Sequence, residues 1–154
     1  MIRNKWTRVF IVMLGFALAL PAAAQDAASI VSLRAANDAF YAALSRKDAA
    51  AIAATWAHEP WVSAVHPSGK DVVVGWESVG KGFGLTSYVE VSVTQKDATT
   101  HVDGNIGWVV GTETVRGRLA SNGQTAEFQT LVTNIFQKQN GKWLMVHHHA
   151  NRLP

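Results

Sequence analysis

Three consecutive histidines near the C-terminus are the residues of this chain best suited to chemistry. Side chains alternate between the two faces of a β-strand, so His147 and His149 are expected on one face of a sheet and His148 on the other. Two imidazoles at this spacing can bind a metal ion, with His66 or Glu77 as a further ligand, but the spacing does not identify the third ligand that zinc needs. The alternatives are a structural role at the end of a sheet and a place in a ligand pocket. In a pocket, a neutral imidazole with a pKa of about 6.5 can donate, accept or shuttle a proton.

The histidine triplet lies in the second strand of a predicted β-hairpin. Asn140-Gly141 is a strong signal for a two-residue turn, and such a turn pairs Gln139 with Lys142. A regular ladder from this turn gives three pairs on one sheet face: Asn134–His147, Val132–His149 and Phe136–Met145. A β-bulge anywhere in the hairpin would reverse the two faces beyond it.

Six residues form the predicted ligand-binding set, in which a few polar groups line a mainly apolar pocket. They are Trp56, His66, Trp76, Asn134, His147 and His149. If the protein is an enzyme, His66, His147 or His149 is the candidate catalytic acid or base. Asn134 would then donate a hydrogen bond to a developing oxyanion. The two tryptophans and Trp61 either pack in the core or stack on a planar or apolar ligand at the pocket mouth.

Five carboxylates are weaker candidates for a general base: Asp38, Glu77, Glu90, Glu113 and Glu127. Glu113 and Glu127 fall on adjacent predicted strands, but the sequence gives no indication that either is buried. Most of the five are expected to be solvated surface groups. No nucleotide-binding loop, serine–histidine–aspartate order or glycosidase carboxylate pair is recognisable, and neither a metal site nor a cofactor is predicted.

The elements that position these residues follow from the hydrophobic pattern. Apolar side chains recur every three to four residues from Ala27 to Ser45, which predicts an amphipathic helix, and Asp48 is the expected N-cap of a second helix over Ala49–Trp56. The remaining predicted elements are two short strands, a short helix and four long strands: Trp61–His66, Asp71–Val74, Trp76–Phe83, Val89–Val102, Ile106–Arg118, Thr125–Gln139 and Lys142–Arg152. Helices followed by an antiparallel meander predict an α+β fold, in which the sheet curls around the long helix and leaves a conical cavity at its open end.

Residues 1–24 have the features of a cleaved secretory signal peptide. Three cations precede the apolar run Val9–Leu20, and Pro21-Ala22-Ala23-Ala24 supplies the small residues for cleavage after Ala24. This run is much shorter than the roughly 20 apolar residues that span a bilayer, which argues against a retained membrane anchor. We therefore expect one domain over residues 25–154 that acts in the periplasm or outside the cell, with no membrane attachment after cleavage.

The composition excludes several classes of protein. The chain has 14 Lys and Arg against 11 Asp and Glu, but three of the cations lie in residues 1–24. The remainder is balanced and has no basic stripe that would bind nucleic acid or an anionic membrane. The chain has no cysteine, which excludes disulfide bridges, catalytic thiols and thiolate metal sites.

The order of the elements and several local motifs resemble the NTF2-like superfamily, especially its SnoaL-like and DUF4440-type branch. The resemblance covers about Ala27 to Asn151 and is carried by these segments: Ala36–Leu44, Lys47-Asp48, His66–Gly69, Gly75–Val79, Thr133–Lys138 and Gly141–His149. It implies a cone-shaped α+β fold of the ketosteroid isomerase type, commonly a homodimer, with a pocket between the helix and the curved sheet. It also implies that Asn134 and the terminal histidines fall where related proteins place pocket groups. The chain does not match the Tyr–Asp oxyanion pair and Asp base of the ketosteroid isomerases and has His66 instead, which argues against steroid isomerisation.

The resemblance does not imply one reaction, because this family includes isomerases, cyclases, dehydratases and proteins that only bind ligands or assemble. One expected function is a periplasmic pocket protein that binds a small, largely apolar or aromatic molecule, with histidine-based proton transfer. The alternative is a non-catalytic binding or assembly module that dimerises through the outer face of its sheet. The predicted partners are thus a small-molecule ligand and a second copy of the chain.

Overall fold

The computed structural model describes residues 22–154, with side chains from Asp26 onwards. Residues 1–21, which hold most of the predicted signal peptide, lie outside this range, and the cleavage after Ala24 stays a prediction. Between residues 22 and 154, no helix is both long enough and apolar enough to cross a membrane.

The described residues form three helices, two before the first strand and one between the two short strands and the four long ones. They are α1 (Ala22–Ser45), α2 (Ala49–Ala54) and α3 (Trp76–Val79). The predicted long helix is confirmed, and α1 buries Leu33, Asn37 and Phe40 on one side. Asp48 is the N-cap of α2 as predicted, because its carboxylate accepts a hydrogen bond from the backbone N–H of Ala51 at 2.9 Å.

Six strands form a single sheet. They are β1 (Ser63–Val65), β2 (Val73–Val74), β3 (Tyr88–Asp103), β4 (Ile106–Leu119), β5 (Thr125–Gln139) and β6 (Lys142–Arg152). Their order is β2-β1-β6-β5-β4-β3, and all neighbours are antiparallel except β1 and β6, which are parallel. The predicted meander of four long strands is confirmed, and together with the helices it gives the predicted α+β fold.

The segment after α2 joins the sheet instead of continuing the helix to Trp56 as predicted. The backbone N–H of Met145 donates to the carbonyl of Thr55 at 2.8 Å, and the N–H of Ala57 donates to the carbonyl of Met145 at 3.0 Å. These two bonds tie the end of α2 to β6. Trp56 is therefore directed into the core, where it is 2% exposed.

β-Bulges bend the long strands over α1. The ladder between β3 and β4 shifts register twice, between Tyr88 and Glu90 and between Lys96 and Thr99. At the second shift, a Cβ added to Gly111 would lie 2.7 Å from the carbonyl oxygen of Lys96, so only glycine lets β4 approach this bulge. Because a bulge increases local twist, these shifts help to curve the sheet around the helix.

The predicted register of the last hairpin is wrong beyond Met145. The turn pairs Gln139 with Lys142 and Phe136 with Met145 as predicted, but the ladder then shifts by one residue. The pairs beyond the shift are Ile135–His147, Asn134–His148, Thr133–His149 and Val132–Ala150. His148 therefore shares the inner face with Asn134, whereas the predicted partners His147 and His149 lie on the outer face.

The burial of two neighbouring apolar residues explains this bulge. Met145 and Val146 are 0% and 9% exposed. A regular strand would send one of them to the outer face, because successive side chains alternate. The extra residue lets both pack in the core and reverses the alternation for the rest of β6.

Candidate functional site

A cavity of about 310 Å³ lies between the concave face of the sheet, the end of α1 and the loop that follows α3. Its apolar and aromatic walls include Leu44, Phe83, Leu85, Val91, Val93, Val115 and Phe128. Its ionisable lining groups are His66, Tyr88, Glu113 and His148, and no Lys or Arg side chain is among its described lining residues. The volume is at the lower end of the range for pockets that bind small molecules.

Glu113 is a buried carboxyl in the wall of this cavity. It lies on the inner face of β4, is 3% exposed and pairs across the sheet with Thr130. Burial disfavours the carboxylate and raises the pKa of Glu113 to about 7, although the neighbouring hydroxyls of Tyr41 and Thr130 lower it in part. Its Oε2 atom makes no hydrogen bond to a described residue. Glu113 can therefore gain and lose a proton near neutral pH.

His148 is the inner histidine of the triplet and lines the same cavity. It is 4% exposed, and its Nδ1 lies 2.7 Å from Oδ1 of Asn134. Burial is the main cause that lowers the pKa of His148 to about 3, and the nearby His66, His147 and His149 lower it further. The ring is therefore neutral at physiological pH.

A chain of side-chain amides holds Asn134 behind this histidine. Asn134 is fully buried, and its Nδ2 donates to Oδ1 of Asn37 at 2.8 Å and to the hydroxyl oxygen of Tyr41 at 3.2 Å. Asn37 in turn donates to Oε1 of Gln95 at 2.8 Å. Burial raises the pKa of Tyr41 far above its usual value, so the phenol stays protonated. Asn37 of α1 thus connects β5 to β3, and Asn37 and Tyr41 together fix the amide that contacts His148.

His66 follows β1 and also lines the cavity. Its ring meets Phe83 edge-on, with 5.3 Å between ring centres, and lies 6.4 Å from the ring of His148. Burial lowers the pKa of His66, and its Nε2 is buried without a hydrogen-bond partner among the described residues. A Cβ added to Gly82 would overlap this Nε2, so the glycine provides the space that the ring occupies.

His147 and His149 do not line this cavity. They lie on the outer face of β6, where Nδ1 of His147 is 2.8 Å from Oγ of Ser63 and the two rings meet edge-on at 6.2 Å. Burial, followed by the neighbouring His149, lowers the pKa of the half-buried His147. The sequence identified the triplet but not the histidine that faces the cavity, and a role for the outer pair in ligand binding stays a prediction.

The predicted tryptophans do not line the cavity either. The ring of Trp56 lies in the core, 5.7 Å from the ring of Phe83 and 6.0 Å from that of Trp76. The half-buried Trp76 stacks on His58 with 4.5 Å between ring centres and 5° between planes. Trp61 is 52% exposed. Packing is thus the observed use of Trp56, and stacking of these rings on a ligand stays a prediction.

The candidate carboxylates other than Glu113 are surface groups. Four of the five candidates are exposed to solvent: Asp38, Glu77, Glu90 and Glu127. Glu127, for example, pairs with Arg116 at 3.5 Å in solvent. One sequence signal could have distinguished Glu113: Val109 and Val115 lie at even spacing from it, and the period of two places all three on the inner face.

The chemistry open to this site is acid–base chemistry. Among the described residues, no group of three or more His, Asp or Glu side chains is arranged to hold a metal ion. Glu113 can accept a proton from carbon or oxygen and return it, because both of its forms are populated near pH 7. The neutral rings of His66 and His148 can take part in hydrogen bonds with a ligand.

The fold is shared with proteins of known structure. A candidate dehydratase of the NTF2-like family from Streptomyces avermitilis superimposes with a TM-score of 0.76 at 23% identity, over 83% of this chain and 98% of that chain. The hexachlorocyclohexane dehydrochlorinase LinA-type3 from Novosphingobium barchaimii LL02 gives a TM-score of 0.73 at 11% identity, over 86% of this chain and 92% of that chain. At these identities the likeness establishes the fold alone.

Sequence comparison gives two further matches. A family model described as a SnoaL-like domain matches residues 33–151. The F-box protein SKIP8 of Arabidopsis thaliana is 27% identical over 117 residues, which are 75% of this chain and 47% of that protein. The chain thus spans about half the length of this curated relative.

Proposed function

The chain belongs to the SnoaL-like domain family within the NTF2-like superfamily, and on this premise we propose that it binds a small, largely apolar molecule in its cavity and transfers a proton on it. The reaction class is that of isomerases, cyclases or dehydratases. One observation carries the proposal: the carboxyl of Glu113 is buried in the apolar wall of the cavity, and this burial raises its pKa to about 7. His66 and His148 line the same cavity and supply neutral imidazoles beside it.

The proposed step starts with removal of a proton from a carbon of the ligand. A C–H bond breaks, an O–H bond forms on Glu113, and the electron pair moves into the ligand. In an isomerisation the pair moves onto a carbonyl oxygen to give an enolate and returns to form the new C–H bond, whereas in an elimination it forms a double bond and expels a leaving group. Glu113 then returns the proton to another carbon or loses it to solvent. A pKa near 7 suits both directions, because neither form of the carboxyl is scarce at neutral pH.

The names of two structurally similar proteins support this reaction class. One is a candidate dehydratase and the other a dehydrochlorinase, names that denote the elimination of water and of hydrogen chloride. Both proteins share the fold with this chain at low identity. They therefore support a class of chemistry and no particular substrate.

Hydrogen isotope exchange on the bound ligand tests the proposal. The ligand is captured from native extract and identified by mass spectrometry, and it is then incubated in D₂O with catalytic amounts of the protein. We expect deuterium in the ligand, and Glu113→Gln should slow its incorporation by about a hundredfold or more. Glu127→Gln is the matched control, because this exposed carboxylate lies on the neighbouring strand. Full exchange activity in Glu113→Gln would contradict the proposal.

A second candidate function is favoured by the outer face of the sheet. Large apolar residues are exposed there on β4 and β5: Ile106 (39%), Trp108 (37%), Val110 (36%) and Leu131 (54%). A contiguous exposed apolar patch of this kind marks an interaction surface. The alternative is thus a non-catalytic dimeric binding or assembly module. A wild-type protein that is dimeric and binds its ligand without any isotope exchange would favour this alternative.

We also propose that the domain acts after export, in the periplasm or outside the cell. The support is the pattern of residues 1–24, with three cations, an apolar run and a small-residue cleavage site. Cleavage after Ala24 predicts a mature chain that begins at Gln25. The intact mass of the protein recovered from the periplasm or the medium measures this, and recovery of a chain that retains residues 1–24 would contradict it.

A further inference from the structure

We propose that the ligand of this cavity is an uncharged molecule with a hydroxyl or N–H group, which donates a hydrogen bond to Nε2 of His148, and that Asn134 is the positioning residue that makes this nitrogen an acceptor. The inference rests on the proposed function only in that it takes the same cavity as the binding site. It specifies the class of ligand, whereas the proposed function specifies the reaction.

The nitrogen of the Asn134 side-chain amide makes two hydrogen bonds, both to residues of α1. Nδ2 of Asn134 donates to the hydroxyl oxygen of Tyr41 at 3.2 Å. The second bond of this nitrogen, to Oδ1 of Asn37 at 2.8 Å, has the same direction.

The opposite end of the same amide determines the tautomer of His148. With its nitrogen directed to α1, Asn134 presents Oδ1 to Nδ1 of His148 at 2.7 Å. An amide oxygen cannot donate, so Nδ1 of His148 must carry the proton. A neutral imidazole has only one N–H, and the other ring nitrogen, Nε2, is therefore an acceptor.

The surroundings of this acceptor select an uncharged donor. His148 is 4% exposed and lines the cavity, so Nε2 has little access to bulk water. A ligand hydroxyl or N–H would satisfy this nitrogen, whereas an anionic group would face its lone pair. The ionisable groups that line the cavity are His66, Tyr88, Glu113 and His148, and Tyr41 lies behind Glu113. None of these is a permanent cation, and burial of an unpaired anion is costly.

The cavity also limits the size of the ligand. Its volume of about 310 Å³ and its aromatic wall residues Phe83, Tyr88 and Phe128 suit a molecule with one or two rings. Indole, 1-methylindole and indole-3-carboxylate are therefore suitable probes. They share one ring system: indole offers an N–H donor, 1-methylindole offers none, and indole-3-carboxylate keeps the N–H donor and adds an anionic group.

Calorimetric titration of the full chain with these three probes at pH 8 tests the proposal. We expect indole to bind about tenfold more tightly than 1-methylindole, a ratio typical of one net hydrogen bond, and indole-3-carboxylate to bind more weakly than both. His148→Phe should remove the preference for indole, because it removes the acceptor. Ser63→Ala is the control, because Ser63 contacts His147 on the outer face, and it should leave the preference unchanged. Equal binding of the three probes, a preference for the carboxylate, or no binding of indole overturns the proposal.

Nitrogen NMR of histidine-labelled protein at pH 8 measures the tautomer directly. We expect the proton of His148 on Nδ1 and none on Nε2, in wild type and in Ser63→Ala. Asn134→Leu should shift the proton towards Nε2 and reduce the preference for indole, whereas Asn134→Asp retains an acceptor at this position and should preserve the tautomer. Circular dichroism verifies that each variant is folded. A proton on Nε2 in the wild type overturns the proposal, while the isotope-exchange result for Glu113→Gln is unaffected and tests the reaction separately.

Discussion

Glu113 and His148 have pKa values shifted in opposite directions by the same physical cause. Burial disfavours a charge, so it raises the pKa of the carboxyl to about 7 and lowers that of the imidazole to about 3. Both groups are therefore biased towards their neutral forms in an apolar cavity. Glu113 remains the group that can change charge near neutral pH, and His148 remains a neutral hydrogen-bonding group.

The raised pKa of Glu113 predicts a pH-dependent stability. Below pH 4.5 the carboxyl is protonated in both the folded and the unfolded chain, whereas between pH 4.5 and about 7 it is protonated only in the folded chain. The contribution of Glu113 to the free energy of unfolding is therefore fully present below pH 4.5 and is lost as the pH rises through 7. Its size is about 3 kcal/mol in the free energy of unfolding.

Comparison of wild type with Glu113→Gln isolates the contribution of Glu113, because this carboxyl is the one ionisable group that differs between the two proteins. We expect the wild type to lose about 3 kcal/mol of unfolding free energy relative to Glu113→Gln between pH 4.5 and pH 8. Urea denaturation at several pH values measures the difference. The exposed Glu127 provides the control, since Glu127→Gln should show no such trend. A difference between wild type and Glu113→Gln that does not vary with pH would contradict the pKa of Glu113.

At the residue scale, the sequence predicted which kinds of side chain lie near the cavity better than it predicted which face they occupy or how deeply they are buried. The alternation of Val109, Glu113 and Val115 places Glu113 on an inner face, but the depth of burial depends on where the curved sheet meets α1. In the same way, the triplet predicted an imidazole at a pocket, but the side that faces it depends on one residue of register. These properties arise from tertiary packing and have no local signal.

The bounds of helices and strands were predicted closely wherever turn residues or caps end them. The four long strands lie within a few residues of their predicted bounds, because Asn140-Gly141 and the other polar turns interrupt the alternation. The bulge at Val146 was not predictable, because it depends on β6 packing in the core and pairing with the segment after α2. Register over a long strand is thus set by neighbours that are distant in sequence.

The close approach of the loop after α3 to His66 predicts a coupling between two elements. In Gly82→Ala the added Cβ would overlap the imidazole of His66, so the ring or the loop must move. We expect a loss of about 1–3 kcal/mol in unfolding free energy, as for other overpacked sites, together with weaker ligand binding. In a His66→Ala background the same change should cost less than about 0.5 kcal/mol, because the space is then free. Thermal and urea unfolding of wild type, Gly82→Ala, His66→Ala and the double variant measure the coupling. An equal loss of unfolding free energy from Gly82→Ala in both backgrounds would show that the contact with His66 does not matter.

The whole molecule has apolar surface on both sides of its sheet. The inner face is covered by α1, whereas the outer face exposes Leu131, Trp108 and their neighbours to solvent. Among the described residues, nothing covers the exposed side chains of this outer face. A second copy of the chain would cover it through a self-complementary contact, as is common in homodimers.

Dimerisation through the outer face is tested by one substitution at its most exposed apolar residue. We expect the wild type to sediment as a dimer and Leu131→Glu to sediment as a monomer, because the charge would be buried without a partner at the interface. Val31→Glu is the control, since Val31 is 67% exposed on α1, away from the sheet face. A monomeric wild type, or a dimer that persists in Leu131→Glu, would contradict this interface.

Both sequence neighbours of His148 are also histidines, and this redundancy bears on how the chain reaches its native alignment. If β6 slipped by one position against β5 during folding, an imidazole would still arrive beside the amide of Asn134. The polar contact alone therefore cannot distinguish the native alignment from its two nearest errors. Met145 and Val146 distinguish the native alignment from an unbulged ladder, because both are buried here and a regular strand would expose one of them. We therefore expect these two apolar residues, and not the histidines, to hold β6 in its native alignment.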